Sequence, residues 1–321
     1  MKKVICLLLV LIILSCLACA VLTGCKAKSD GKLKVVVTIF PIYDWVNQVL
    51  GDRAEDVSVT LLLNSGADLH SYQPSVADMV AVAEADLFIY VGGESDEWVD
   101  DALKNARNKS MRTMDLLSLL GEKAKHEEIV EGMEHEEEEG ESEYDEHVWL
   151  SLKNAAFYVD RIASEISTID EANAESYRAN ADAYIASLNA LDSRYAETVA
   201  ASPRDTLLFG DRFPFRYMID DYGLKYYAAF VGCSAETNAS FETMRFLIGK
   251  ANDLAVKVIL KIENSSSQIA EEIKSGSNAN DQSIMVLDSL QSATSREYAA
   301  GRTYLAVMTS NLEVLRAALA A

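Results

Sequence analysis

DEANAESYRANADAYIASLNALDSRYAETVA, residues 170 to 200, lies in the longest stretch of the chain without glycine or proline, from Gly140 to Pro203. Its apolar residues Tyr177, Tyr184, Leu188, Leu191, Tyr195 and Val199 step by seven, four, three, four and four, which keeps them on one face of a helix. A helix from Asp170 to Ala200 is roughly 45 Å long, long enough to run across two lobes rather than sit inside one.

On both sides of this segment short β-rich runs alternate with helical patterns. Upstream, VVVTIF (35–40), VSVTLLL (57–63), LFIYVGG (87–93) and MRTMDL (111–116) read as strands, with helices over 42–50, 75–85 and 96–108 between them. Downstream, TLLFG (206–210), YYAAFVG (226–232), KVILKIE (257–263) and IMVLDS (284–289) read as strands, and helices follow over 215–223, 240–254, 267–274 and 304–320. This is the rhythm of mostly parallel sheets. The expected fold is α/β: two lobes, each a mostly parallel four-stranded sheet flanked by helices, joined by one long rigid helix. The expected boundaries are an N-terminal lobe over 33–169, a linking helix over 170–201 and a C-terminal lobe over 202–321.

The N-terminus points to a compartment. Lys2 and Lys3 precede an apolar run from Val4 to Leu22 that closes on LTGC. That is a secretory signal (1–24) ending at a lipoprotein-type cysteine, Cys25, which begins a lipidated tether over 25–32. Cleavage there removes Cys6, Cys16 and Cys19 and leaves Cys233 without an intramolecular disulfide partner. Cys233 has no histidine near it in sequence and reads as a buried structural thiol. The formal charge of −21, which becomes −23 once Lys2 and Lys3 are lost, disfavours nucleic acid and suits cations.

Three of the four histidines fall between His126 and His147, together with twelve Asp or Glu residues. The charge density of 126–146, without an apolar period, reads as a disordered acidic loop. His147 ends it in YDEHVWLSLKNA, where Trp149 and Leu150 promise a packed backing for a metal ligand. His70, in GADLHSYQPS, follows a strand in a polar loop, where open α/β sheets place ligands. Asp288 ends the IMVLD strand, either as a helix cap or as a ligand. Asp211, at the end of the TLLFG strand, and Glu236, in the loop GCSAETNAS, are further carboxylates facing the cleft. Imidazoles with carboxylates suit zinc, and manganese or ferrous iron as the oxygen share rises. HEEEE and HEEIV lack the second histidine of a zinc-protease helix, and no nucleophile elbow, Walker loop or dinucleotide fingerprint occurs.

Taken together, the lipobox, VVVTIFPIYDWV, HSYQPS, HVWLSLKNA, YGL, LDSLQS and GRTYLAVMTSNLEVL resemble the metal-binding lipoproteins of bacterial ATP-driven zinc, manganese or iron importers, zinc-uptake members above all. The resemblance covers essentially the whole chain. It implies one metal in the cleft between the lobes, with His70, His147 and Asp288 as ligands. The third ligand of the family, a His or Glu, falls at Arg212, which offers no lone pair. Asp211, Glu236 or water are left for that place. Zinc-uptake members carry a His- and acid-rich loop before the second histidine. Here that loop holds only His126 and His135, so it is either a metal scavenger or a solvated accessory.

The expected protein is a monomeric extracytoplasmic lipoprotein, held by Cys25 on the outer face of the cytoplasmic membrane. It hands zinc, or alternatively manganese or iron, to the membrane permease of an ABC-type importer. Rival readings are a surface zinc hydrolase with Glu236 or Asp211 as general base, and an adhesin built on the anchor and the acidic loop.

Overall fold

Val35, Val36 and Val37 are buried on both faces of β1 (Leu33–Val37), as expected of a strand inside a parallel sheet. The computed structural model describes residues 31–134, 143–234 and 238–320. Cys25, His135 and Glu236 lie outside the described residues.

In the N-terminal half β2 (Val57–Leu61), β1, β3 (Leu87–Tyr90) and β4 (Arg112–Asp115) form one sheet in the order β2-β1-β3-β4, with β1–β3 and β3–β4 parallel. Helix α1 (Phe40–Leu50) follows β1 after two intervening residues, with Pro41 in its first turn, where a missing N–H costs nothing. Helices α2 (Val76–Ala83), α3 (Trp98–Lys104) and α4 (Leu116–Leu120) complete this half.

The C-terminal half is less continuous than expected. β5 (Thr206–Leu208) pairs with β7 (Lys225–Tyr227), and β9 (Val258–Lys261) with β10 (Ser283–Val286), all parallel. A single parallel bridge, Phe209 to Leu260, ties the two ladders together. The expected strand 226–232 is broken, because Ala229 donates its N–H to the Asp211 carbonyl (3.0 Å) and the chain re-pairs as β8 (Phe230–Val231) on β6 (Arg212–Phe213). Helices α7 (Arg216–Tyr222), α8 (Phe241–Asp253), α9 (Gln268–Gly276), α10 (Ser295–Ala299) and α11 (Tyr304–Ala318) flank these strands.

Between the halves stand α5 (Leu152–Ile169) and α6 (Ala174–Ala201), a helical hairpin. At its turn the Asp170 carboxylate accepts from Tyr177 Oη (2.7 Å) and Asn173 Nδ2 (2.8 Å), so the long helix starts four residues later than the sequence suggests. Its 28 residues span roughly 42 Å. Along this length Tyr184 donates to Asp44 of α1 (3.2 Å), while Tyr195 donates to the Met308 carbonyl of α11 (2.6 Å). One rigid element therefore grips a helix from each half. At the centre Trp45 of α1 packs on Tyr158 of α5 and Tyr304 of α11, with ring centroids 5.9 and 5.2 Å away.

The acidic segment departs from the expectation of disorder wherever it is described. Glu127 donates its N–H to the Glu143 carbonyl and Asp145 to that of Lys125 (both 2.8 Å), and His126 stacks on Tyr144. Residues 128–134 then lie along the C-terminal half. Tyr226 Oη donates to the Glu128 carbonyl (3.0 Å), Glu134 N–H donates to the Ala229 carbonyl (2.9 Å), and Met133 is buried. The Glu134 carboxylate accepts from Ser240 N–H (2.8 Å) and Thr243 Oγ1 (3.0 Å), at the start of α8. Backbone donors at a helix N-terminus suit a carboxylate, and they turn a charged segment into a fastened strap.

Candidate metal centre

The loop after β2 places His70. Asp68 caps a short turn over Leu69–Ser71 by accepting the His70 N–H (3.0 Å), and its other carboxylate oxygen pairs with Arg212. His70 Nδ1 lies 2.9 Å from Ser95 Oγ and 3.5 Å from Glu146 Oε2. Glu146 is itself oriented by the Ser95 N–H (2.9 Å), and its Oε2 is buried without another hydrogen-bond partner.

His147 is fully buried, backed by the fully buried Val148, Trp149 and Leu150. Asp145 Oδ1 accepts from the His147 backbone N–H (2.8 Å) and holds Nδ1 of its ring (2.9 Å). That contact favours a ring proton on Nδ1 and, in the neutral ring, leaves Nε2 as the donor atom, the usual arrangement behind a metal-binding imidazole.

The two rings meet through Nε2 and Nε2, 3.2 Å apart. Two nitrogens bound to one tetrahedral zinc at about 2.05 Å stand roughly 3.3 Å apart, so the pair is already spaced as one edge of such a site. Burial, and next the neighbouring His147, depress the basicity of His70 to about 3. Burial opposes protonation of His147 too, but Asp145, Glu146 and Glu127 outweigh it and raise its pKa above the ordinary value. The pair therefore keeps His70 neutral, as a metal ligand must be.

A third donor stands beside them. One ring nitrogen of His70, one of His147 and Sγ of Cys233 all lie within 4.8 Å of one another, the one group of three such donors among the described residues. Cys233 arrives on the loop after β8. Gly232 packs against His147 so closely that a Cβ there would stand 2.9 Å from the ring Cε1 and 2.9 Å from the Phe213 carbonyl. The Cys233 N–H donates to Glu127 Oε1 of the strap (2.9 Å). Burial, with Glu127, Asp145 and Glu146 next, pushes the free thiol's pKa up. Sequence spacing hid this residue, because its histidine partners are near only in space.

The remaining sequence candidates among the described residues are engaged elsewhere. Both oxygens of Asp288 face Arg302 Nη2 (2.9 and 2.8 Å) and Oδ1 also accepts the Leu290 N–H (2.9 Å), so the structure does not bring this carboxylate to the histidine pair. The sequence reading omitted Arg302, whose charge answers Asp288. Asp211 accepts from the N–H groups of Arg212 (2.9 Å) and Ile262 (3.1 Å), which ties the turn before β6 to the end of β9. Arg212 joins Asp68 to the Ser234 carbonyl (3.2 Å) across the site. His126 sits in the hairpin stem of the strap. A cavity of about 360 Å³, lined by Asp68, His70, Arg212, Ser234 and Asn264 among others, opens beside His70.

The chain matches the family described as Zinc-uptake complex component A periplasmic over residues 35–318. It is 32% identical over 323 residues to the zinc-binding lipoprotein AdcA of Streptococcus pneumoniae, a match taking in 98% of this chain and 61% of that protein. It is 30% identical over 299 residues to the high-affinity zinc uptake system protein ZnuA of Bacillus subtilis, across 91% of this chain and 89% of that one. The chain thus spans about three fifths of the length of its AdcA relative. Among solved structures, the Zn(II)-bound ZnuA-like domain of Streptococcus pneumoniae AdcA aligns with a TM-score of 0.71 at 29% identity, over 90% of this chain and 99% of that one. The metal-dependent lipoprotein YcdH from Bacillus subtilis aligns with a TM-score of 0.74 at 28% identity, over 90% and 100%.

Proposed function

The chain belongs to the zinc-uptake complex component A family, and on that premise we propose that it is a solute-binding lipoprotein that captures zinc outside the cytoplasm and delivers it to the permease of an ABC-type importer. The observation that carries the reading is the His70–His147 pair, with Nε2 atoms 3.2 Å apart and the far nitrogens held by Ser95 and Asp145. Imidazole donors in a buried setting favour zinc over manganese, whose preference runs to oxygen. The names of the relatives, zinc-binding lipoprotein and zinc uptake protein, point the same way. The cargo ion is bound and released without being chemically transformed.

The chain acts as a monomer, held on the outer face of the cytoplasmic membrane by a lipid on Cys25. LTGC after an apolar run supports that anchor. Held to the membrane, the carrier meets its permease by diffusion in two dimensions. Long helix α6, gripping both halves, favours small adjustments around the metal over wide hinge closure.

Equilibrium dialysis of the chain from Lys26 onward, against zinc and manganese together, tests the reading. One zinc per chain, retained against equal manganese, is expected. Equal occupancy by the two metals, or no bound zinc, would refute it.

A further inference from the structure

His70 and His147 supply two donors, and the position where the family resemblance places a third holds Arg212, a cation already paired with Asp68. Asp211 and Asp288 are engaged by backbone N–H groups and by Arg302. Among the described residues, the donor that stands with the two histidines is a sulfur.

We propose that Cys233 binds the metal as a thiolate, making the cargo site two imidazoles and one sulfur. Its Sγ and one nitrogen from each histidine lie within 4.8 Å of one another. Three features of the fold deliver it there. The short parallel pair β6–β8, with Arg212 opposite Phe230 and Phe213 opposite Val231, carries the chain to the edge of the pair. Gly232 lets the backbone pass against the His147 ring, where a side chain would collide. Glu127, from the acidic strap, then holds the Cys233 N–H. The strap residue fixes the loop that presents the sulfur, so the acidic segment helps build the metal site.

The chemistry of the set is specific. The thiol loses its proton to solvent as the metal–sulfur bond forms, and two neutral imidazoles with one thiolate leave a net charge of +1 on a divalent ion. Sulfur selects zinc, and the softer ions that behave like it, against manganese. Three protein donors leave one position of a tetrahedron for solvent, the arrangement of zinc sites that exchange a ligand. In a carrier, such an opening gives the next binding site a place to attack.

This inference rests on the reading of the histidine pair as a metal site, and one experiment separates the two. The chain from Lys26 onward is loaded with cobalt(II), and its absorption spectrum is recorded for the wild type and for Cys233→Ser. The expected result is an intense near-ultraviolet sulfur-to-cobalt charge-transfer band in the wild type, lost in Cys233→Ser while visible ligand-field bands persist. Zinc affinity of Cys233→Ser falls by at least the roughly hundredfold that loss of an outer-shell partner can cost. Visible bands without the charge-transfer band in the wild type would overturn the thiolate and leave the histidine site standing. Absence of both would overturn the metal reading itself. The wild-type spectrum alone decides the question if Cys233→Ser does not fold.

Discussion

His70 and His147 face each other through Nε2 atoms 3.2 Å apart, although they lie 77 residues apart in the chain. In the neutral tautomers with ring protons on Nδ1, toward Ser95 and Asp145, two lone pairs point at one place. That place suits a cation, either a shared proton or a metal ion. Preorganisation of this kind puts the cost of bringing the donors together into folding and leaves binding to the metal itself.

The hydrogen bond behind His147 sets its direction. Asp145→Ala removes the acceptor for both the backbone N–H and Nδ1, and zinc affinity should fall roughly 10- to 100-fold. A chelator competition titration measures this. An unchanged affinity in a folded variant would show that Asp145 does not orient the ring.

The approach of the Cys233 loop depends on a missing side chain. Gly232→Ala places a methyl 2.9 Å from both the His147 ring and the Phe213 carbonyl, and the carbonyl cannot swing aside as a flexible side-chain end would. The expected outcome is a loss of about 1–3 kcal/mol of stability in urea unfolding, together with weaker zinc binding. Full retention of both would contradict the packing at this position.

Asp288 and Arg302 form a partly buried pair, with side chains 22% and 17% exposed. Arg302→Met leaves the carboxylate without its cation and should cost about 1–3 kcal/mol, with one tight zinc site kept. Asp288→Asn should likewise bind zinc normally. Loss of zinc binding in a folded Asp288→Asn protein would instead place that carboxylate on the metal.

Acid should release the metal, because ligands bind in their deprotonated forms. His147, raised above the ordinary histidine value by its carboxylate neighbours, is the histidine that takes up a competing proton first. His70, held near 3, competes only in strong acid. Weakening should therefore begin above the pKa of free imidazole, about 6.5, and carry one histidine proton rather than two between pH 6 and 4. Zinc titrations across that range check it, and pH-independent affinity would rule out histidine ligation.

The α/β class and the long helix were legible because each rests on local pattern: helical spacing over Tyr177 to Tyr195 and buried valines in β1; His70 and His147 stood out singly by position, and only the family resemblance joined them. Cys233 was not, since nothing within its own loop signals two imidazoles reached through folding. The strap escaped for a related reason. Glu127 and Glu134 each find a backbone N–H 106 residues further along the chain, at Cys233 and Ser240. Charge density records the cost of burying carboxylates but not the donors that offset it. The broken strand at Ala229 likewise depends on the Asp211 carbonyl, a long-range partner that a β-rich run cannot reveal.

The most direct test is zinc competition titration of the chain from Lys26 onward, comparing wild type with His70→Ala, His147→Ala and the double variant. If both imidazoles bind one ion, each single change abolishes the tight site and the double change adds little further loss. Tight zinc binding that survives His70→Ala in a folded protein would contradict a shared site.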